Sequence, residues 1–506
     1  MLNTYSKNRR YPCRIAALTP VLAVTVLMLT ACATGPDYAR PAFPLPAAYK
    51  EDGLWKSAQP RDADAGQPWW TRYGDADLDA LVERANAANQ DIRIAEAQYR
   101  QARAAVQLAR AGYAPTLGAA VSASHTRIPT ANGSVTTGNE SLLLDASWEP
   151  DIWGRVRRSV EAGAAAAQAS AADLAAARLS IQSELVQDYL QLRITDAQKD
   201  LLSQTVEEYR KALALTRSQY AAGVVTRTDV ALAETLLQST SAQAIDLGVQ
   251  RSQLEHAIAI LCGRAPSELT IAARAPGSLG LTLPEVPAGL PSQLLERRPD
   301  IAAAERRAAA ANAGIGVARS AYFPSLTLNG SAGVGGTTYS QWINAPSRVW
   351  SLGAVLAETI FDGGARSARS DAAVAAYDAA AAQYKRTVLA GLQEVEDNLA
   401  ALRVLGEERA VQDAAVASAS QAARTSLAQY RAGTASYLAV VTTQTLLLAN
   451  QRSALQLLGR QLAASAALVK ALGGGWNAAQ LDGAATGNAL PANTALSSVN
   501  AAAAGN

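Results

Sequence analysis

The sequence predicts a mixed α/β membrane protein, in which one structural unit is written twice and each copy is a set of long helices carrying a β-hairpin. Three observations predict it. The chain matches itself at a spacing near 209 residues, two long stretches contain no proline, and four short segments without helical periodicity sit in pairs between the helices.

The duplication comes first because it organises everything else. Asp91-Ile92 matches Asp300-Ile301, Pro115 matches Pro324, and Gly154 with Arg157 matches Gly363 with Arg366, all 209 residues apart. Val186, Asp188 and Leu190 match Val395, Asp397 and Leu399 at the same spacing, and Gln219-Tyr220 with Gly223 matches Gln429-Tyr430 with Gly433 at 210. A solenoid would need more copies of a shorter unit, so the two halves read as equivalent parts of one symmetric body.

In chain order, residues 1–31 carry Lys7, Arg9, Arg10 and Arg14, no acidic residue, and an apolar run from Ile15 to Leu29 that is short for a membrane span. This reads as a signal peptide. The run ends in Leu29-Thr30-Ala31-Cys32, similar to the site at which bacterial signal peptidase cleaves before a lipid-bearing cysteine. Cys32 is therefore the expected lipidation site, carrying N-acyl and S-diacylglycerol groups, and no other cofactor is expected. In bacterial lipoproteins an Asp after the cysteine retains the protein in the inner membrane; Ala33 follows here, which implies the outer membrane. Residues 32–74 form the lipidated N-terminal segment.

Repeat 1 spans 75–265 and repeat 2 spans 300–475, joined by a crossover at 266–299 that holds six of the 20 prolines. Proline breaks helix interiors, and none occurs from Asp151 to Ala265 or from Ser347 to Leu490, so those stretches are expected to be helical. Each unit reads as a helix (about Asp75 to Gly112; Asp300 to Ala321), a hairpin (115–154; 324–363), a long helix (Arg157 to Ala221; Arg366 to Arg431) and a final helix (Thr226 to Cys262; Ser436 to Leu472). At about 1.5 Å per residue the long helix would reach roughly 95 Å, too long for a globular core and suited to a bundle or tube. Alanine runs such as Ala164 to Ala167 favour either close helix approach or simply helix propensity. Residues 476–506, rich in Ala, Gly, Asn and Ser, read as a flexible tail.

The hairpin segments Thr116–Arg127, Ser141–Glu149, Ser325–Val334 and Val349–Phe361 are each about long enough, at roughly 9 to 11 residues, to cross a bilayer as tilted strands. Leu142, Leu144, Ala146 and Trp148 alternate with Leu143, Asp145, Ser147 and Glu149; the other three segments alternate less cleanly. Trp148, Trp153, Trp350 and Phe361 stand near strand ends, where an interfacial aromatic girdle would lie. Four strands cannot close a membrane barrel and an open edge is not tolerated in lipid, so several chains must contribute to one barrel.

Charge and chemistry exclude other classes. Removing the signal takes four of the 45 basic residues and leaves 41 against 43 acidic, which gives no support for nucleic-acid binding. No phosphate loop, metal-ligand cluster or nucleophile–base pair is legible, His125 and His256 are isolated, and Cys262 lies in an apolar run as a small core residue. The expectation is that the protein is not an enzyme, with no catalytic or metal site.

Cys32 to Pro41, Trp69-Trp70, Glu149-Pro150-Asp151-Ile152-Trp153-Gly154-Arg155, Arg297-Arg298-Pro299-Asp300-Ile301 and Phe361-Asp362-Gly363-Gly364, in this order, resemble the outer-membrane factor lipoproteins of the TolC/OprM type. The resemblance implies a homotrimer with a twelve-stranded transmembrane β-barrel, four strands per chain, continued by a long periplasmic α-helical barrel. It also implies a belt, on which the N-terminal segment packs, and partners: a periplasmic adaptor, an inner-membrane transporter of the resistance–nodulation–division class, and outer-membrane lipid. The implied function is the outer-membrane channel of a tripartite pump exporting small molecules. A duct for type I protein secretion and a lipid-anchored scaffold without a channel are the alternatives.

In that family the periplasmic mouth follows Tyr-x-x-Gly, matched by Tyr220 to Gly223 and Tyr430 to Gly433. Adaptor contacts are thereby implied at Gly223, Val224, Thr226, Gly433, Thr434 and Ser436, and a hydroxyl latch at Tyr430. Relatives often carry carboxylates just beyond the glycine. Asp229 fits, as gate residue or as a helix-start residue favoured by the dipole, but Ala439 and Thr442 replace them in the second repeat, which puts strong cation selectivity in question. Glu149 and Glu358 are expected to face the barrel lumen.

Overall fold

The computed structural model describes residues 34–51, 68–131, 133–274, 283–284, 293–342, 345–479 and 481. The signal peptide, Cys32, nearly half of the crossover and most of the tail lie outside them. The elements are helices α1 (Ala76–Ala88) and α2 (Gln90–Ala111), strands β1 (Thr116–Thr130) and β2 (Gly133–Trp148), helices α3 (Arg155–Ala221) and α4 (Arg227–Leu261), a single turn α5 (Leu294–Arg297), helix α6 (Pro299–Ser320), strands β3 (Ser325–Gly336) and β4 (Arg348–Ala357), and helices α7 (Ala365–Arg431) and α8 (Tyr437–Ala471). The chain forms two compact units. One comprises Met1–Pro41, Ala102–Ala167 and Arg306–Ala381, the other Ala42–Gln101, Gln168–Glu305 and Ala382–Asn506.

In the second unit the helix expected over Asp75 to Gly112 is two helices. Asn89 leaves the helical region at φ −62° and ψ 134°, and its side-chain oxygen accepts from the Asp91 and Ile92 amides at 2.9 and 3.1 Å. A residue that caps a new helix cannot also continue the old one. The repeat-equivalent residue is Arg298, and the two do the same job by different chemistry. Asn89 Nδ2 donates to Leu261 O at 3.0 Å, and Arg298 Nη1 donates to Ala471 O at 3.0 Å; each thereby takes a carbonyl from the end of its unit's last helix. Arg298 is also paired with Asp300 at 2.7 Å and Glu394 at 2.7 Å, which explains the Arg-Arg-Pro-Asp-Ile string as a buried lock with Pro299 at the first position of α6.

Beside each lock a glycine passes close to backbone. A Cβ on Gly263 (φ +68°) would meet Ala88 O at 2.3 Å, and one on Gly473 (φ +92°) would meet Arg297 O at 1.9 Å. Around them lies the main core, with Tyr73, Leu78, Ile92, Leu185, Tyr189, Ile258, Ile301, Leu399 and Leu462 buried. Ala171 and Ala172 are buried with Ala302 and Ala303, so there the small side chains do serve close packing.

The first unit carries one antiparallel sheet in the order β1-β2-β3-β4. Two of its strands, at 15 and 16 residues, run well past the expected lengths, because Pro129 and Val135 still pair with Ser134 and Ile128. β4 ends at Ala357, not Phe361, since Ser325 is the last residue of β3 available to pair with it. The motifs at the lower ends turn strand into helix. Asp151 accepts from the Val156 and Arg157 amides at 2.8 and 2.7 Å, and Asp362 accepts from Gly364 and Arg366 at 3.1 and 3.0 Å. Gly154, Gly363 and Gly364 supply the positive φ that these turns need.

Candidate channel wall, mouth and amino-terminal dock

Directly paired residues of neighbouring strands point to the same side of a sheet, so the register assigns every side chain to a face. Leu142 lies opposite Val121 and Val334, Leu144 opposite Ala119 and Ala332, and Ala146 opposite Leu117 and Gly330. On β4 the same face takes Trp350, Leu352, Ala354 and Leu356. The other face takes Thr116, Gly118, Ser122 and Ser124 of β1, Ser141, Asp145 and Ser147 of β2, Thr327, Asn329 and Ser331 of β3, and Ser351 and Gly353 of β4. Ser122 bonds Ser141 and Ser331 bonds Ser351 across it, each at 2.8 Å. Over the shared rows the first face is apolar apart from Arg348, while the second is mixed: it holds the sheet's small polar residues there together with Leu143, Val349 and Val355.

This is the segregation of a sheet with lipid on one side and water on the other. The weak alternation read along single strands is resolved by the pairing. Glycine and alanine are uninformative alone, but most sit beside a residue that commits their row; the row of Ala120, Leu143, Gly333 and Val349 is the exception, apolar on the otherwise polar side. Trp148 and Trp350 lie on the apolar face near opposite ends, as interfacial aromatics do. Trp153 lies off the strands: its indole donates to Pro324 O at 2.6 Å and stacks on Phe323. Phe361 lies beyond β4 and is exposed. Glu149 and Glu358 each stand one residue beyond a strand, at the helix-side rim. Glu149 is held there by Arg155 in a two-pronged pair at 2.8 and 3.1 Å, and Glu358 is exposed.

The start of the described chain docks on the same unit. Thr34 Oγ1 donates to Trp153 O at 2.9 Å, and Arg158 Nε donates to Thr34 O at 3.1 Å. Arg158 further binds Asp37 at 2.9 Å, and Asn312 Nδ2 donates to Pro36 O at 3.0 Å. Gly35, at φ +93°, lies against Gly316, where a Cβ would come within 2.5 Å of its Cα. Sequence reading missed this dock. The one available signal was Gly35 in the stretch after Cys32, whose partner Gly316 lies 281 residues away.

At the other candidate site, in the second unit, α3–α4 and α7–α8 each turn on a left-handed glycine, Gly223 at φ +74° and Gly433 at φ +75°. The turns are alike: Gly223 N and Val224 N donate to Tyr220 O and Gln219 O, both at 2.9 Å, and Gly433 N and Thr434 N donate to Tyr430 O and Gln429 O at 3.0 and 2.9 Å. Gly223, Val224, Thr226, Gly433, Thr434 and Ser436 are all exposed at these tips. The starts of the following helices differ. Thr226 and Asp229 form a reciprocal capping box, with Thr226 N to Asp229 Oδ2 at 2.9 Å and Asp229 N to Thr226 Oγ1 at 3.3 Å. Ser436 has no side-chain cap bond, because the equivalent of Asp229 is Ala439. One turn further on, Thr442 spends its hydroxyl on Leu438 O at 2.9 Å.

The two hairpins are tied by Tyr430, whose hydroxyl donates to Gln219 Oε1 at 2.5 Å and lies 3.4 Å from Thr216 Oγ1. Its ring meets Tyr437 at 5.3 Å inside a cluster with Tyr209, Leu213, Leu237 and Val440. Burial, with Tyr430 and Asp229 close by, pushes the Tyr437 phenol up to about 12. Burial likewise pushes Tyr209 up to about 12, so both of these phenols stay neutral over the physiological range. Gln219 and Tyr437 were legible only as repeat-matched or helix-start residues, since a latch partner 211 positions away leaves no local pattern.

Residues 81–264 and 290–474 match a family model described as outer membrane efflux protein. The pyoverdine export outer membrane protein OpmQ of Pseudomonas aeruginosa is 33% identical over 89% of this chain and 95% of its own. The cation efflux system protein CusC of Escherichia coli is 29% identical over 92% of this chain and 99% of its own. Among solved structures, the outer-membrane channel OprN superposes with a TM-score of 0.79 at 32% identity, covering 88% of this chain and all of that one.

Proposed function

This chain belongs to the outer membrane efflux proteins, and from that membership we propose that three copies close one barrel and export small molecules through it. It is an outer-membrane channel of the efflux class; the assembly, cargo and partners are the proposal. The observation that carries it is the register: a four-stranded sheet with an apolar face, an opposite face richer in small polar residues and two unpaired edges, β1 and β4. Unpaired edges are costly in lipid, where no water satisfies them, and a ring of identical chains removes them all.

The anchor reading gains support from the dock. Only Ala33 separates Thr34 from Cys32 in the sequence, and Thr34 itself is bound to Trp153 O beside the helix-side rim of the sheet. Lipid there and strands in the bilayer would address the same membrane. At the glycine tips, exposed Val224 and the short polar residues around it suit a periplasmic adaptor, with an inner-membrane transporter behind it. The names of the relatives speak of pyoverdine and of cations, which supports small-molecule cargo over protein secretion. Asp229 still presents a carboxylate while capping its helix, but Ala439 and Thr442 carry none, so the mouth is expected to favour cations less than one with carboxylates in both repeats. The protein acts by conducting, not by catalysis.

Planar bilayers test this. Purified protein is expected to run as a trimer and to give discrete conductance steps, larger in Tyr430→Phe, which lacks the donor to Gln219. A folded protein that inserts without conducting would leave only the scaffold reading.

A further inference from the structure

We propose that each subunit seam of the trimer carries a two-arginine clamp, Arg348 of one copy with Arg127 of the next, that binds the phosphates of lipid A in the outer leaflet. The proposal rests on the trimer reading above and goes beyond it.

The argument begins with the slant of the sheet. Thr116 shares a row with Ser147, Asn329 and Gly353, yet β3 and β4 continue four residues past that row on the helix side. At the far end Arg348 shares a row with Val334, Leu142 and Val121, while β1 and β2 run on to Thr130 and Gly133. Both ends shift in the same sense, as in tilted barrel strands, so membrane level is measured along each strand from its own helix-side end.

By that measure Arg127 stands eleven residues from Thr116, and Arg348 nine residues from Ala357. A tilted strand crosses the hydrocarbon core in about 9–11 residues. Both arginines therefore reach the outer headgroup layer, and both lie on the apolar, lipid-facing side: Arg127 pairs with Thr136 two rows beyond the Gly138 row, and Arg348 with Val334. Inward of Arg348 that face is apolar to the helix-side end; inward of Arg127 it carries His125 and Glu140 and is apolar from the row of Val121 and Leu142 on.

The two residues occupy the two edge strands. In a closed ring β4 of one copy meets β1 of the next, which brings the arginines to one seam from opposite sides, within two residues of the same level. Arg127 Nε donates to Ser134 Oγ at 2.7 Å, which steadies the side chain and leaves its two terminal nitrogens to a ligand. Both residues are exposed in the single chain. The one carboxylate on this face in the strands, Glu140, is buried, with the Trp342 indole donating to its backbone oxygen at 3.3 Å, so it does not neutralise the pair in the headgroup layer. Planar guanidinium groups bind phosphate oxygens in pairs, and two of them face-on suit a phosphomonoester held at fixed depth by its acyl chains. At this depth the phosphates available are those of the outer leaflet, which selects lipid A over glycerophospholipid.

Native mass spectrometry of the detergent-solubilised full-length lipoprotein tests it with bisphosphorylated lipid A, dephosphorylated lipid A and phosphatidylglycerol as probes. Wild type is expected as a trimer carrying up to three bisphosphorylated lipid A molecules, with occupancy falling as salt is raised. Arg127→Gln with Arg348→Gln is expected to bind at least about tenfold more weakly, and Arg127→Lys with Arg348→Lys to recover much of the loss. A trimer that binds all three lipids alike, or whose occupancy ignores both salt and the Gln variant, overturns the clamp and leaves the trimer standing. A monomeric wild type overturns the trimer reading and the clamp with it. Should the Gln variant fail to assemble, the salt titration and the lipid comparison on wild type still decide.

Discussion

At Asp188 the two copies of the unit part ways. Its equivalent, Asp397, accepts from Gln393 at 3.3 Å, whereas the residue one turn before Asp188 is Glu184, so two carboxylates share one helix face. Burial first, and Glu184 second, push the Asp188 carboxyl up from 3.8 to about 6. The folded state then holds this proton more tightly than the unfolded chain does. Below pH 3.8 both states keep it; between there and about 6 stability falls as pH rises, and above 6 the loss is complete. Asp188→Asn should therefore raise the thermal midpoint at pH 7.5 by the equivalent of about 1 kcal/mol, allowing for partial solvent screening, and leave it unchanged near pH 3.5. Circular dichroism melts at the two pH values read this directly, and equal midpoints at pH 7.5 would contradict it. The match of Asp188 to Asp397 is visible in the sequence. That one of them is pressed against a second charge while desolvated is not, because burial depends on residues far along the chain.

Among the elements, the helix starts carry the most readable chemistry. Asp229 was legible as an acidic residue at a helix start; the structure makes it one half of a capping box with Thr226, after a turn in which Gly223 takes the positive φ. Ser436 holds the same backbone conformation, φ −74° and ψ 157° against −86° and 162° for Thr226, but lacks the partner. Ala439→Asp should complete the second box and stabilise the fold by about 0.5–1 kcal/mol, seen as a higher thermal midpoint of the assembled protein. A lower midpoint would mean that repulsion at the mouth outweighs the cap. Strand ends were less readable. β1 and β2 extend beyond the apolar stretch into polar residues such as Thr136 and Thr137, which pair as well as any other but give no hydrophobic signal. The break at Asn89 was missed for a related reason: the flanking residues keep helical composition, and the kink is held by the Asn89 side chain, which caps the Asp91 and Ile92 amides and donates to the distant Leu261 O.

For the whole molecule, the need for a ring of chains was legible from the count of strands alone, since four cannot close a barrel and lipid does not forgive an edge. The facing of those strands was legible only in part. Leu142, Leu144, Ala146 and Trp148 announce a side, but the rows of Gly330, Ala332 and Ser331 become decisive only beside their partners. The account stands on that facing, and alternate cysteines along β3 test it. Native thiols interfere little: Cys262 is 2% exposed and the proposed acylation blocks Cys32. In a bilayer, Thr327→Cys, Asn329→Cys and Ser331→Cys should react with a charged, water-soluble thiol reagent and lose conductance, while Leu326→Cys, Leu328→Cys and Ala332→Cys should react only with a lipid-soluble one. Equal reaction of both sets with the water-soluble reagent, or block by the second set alone, would contradict it.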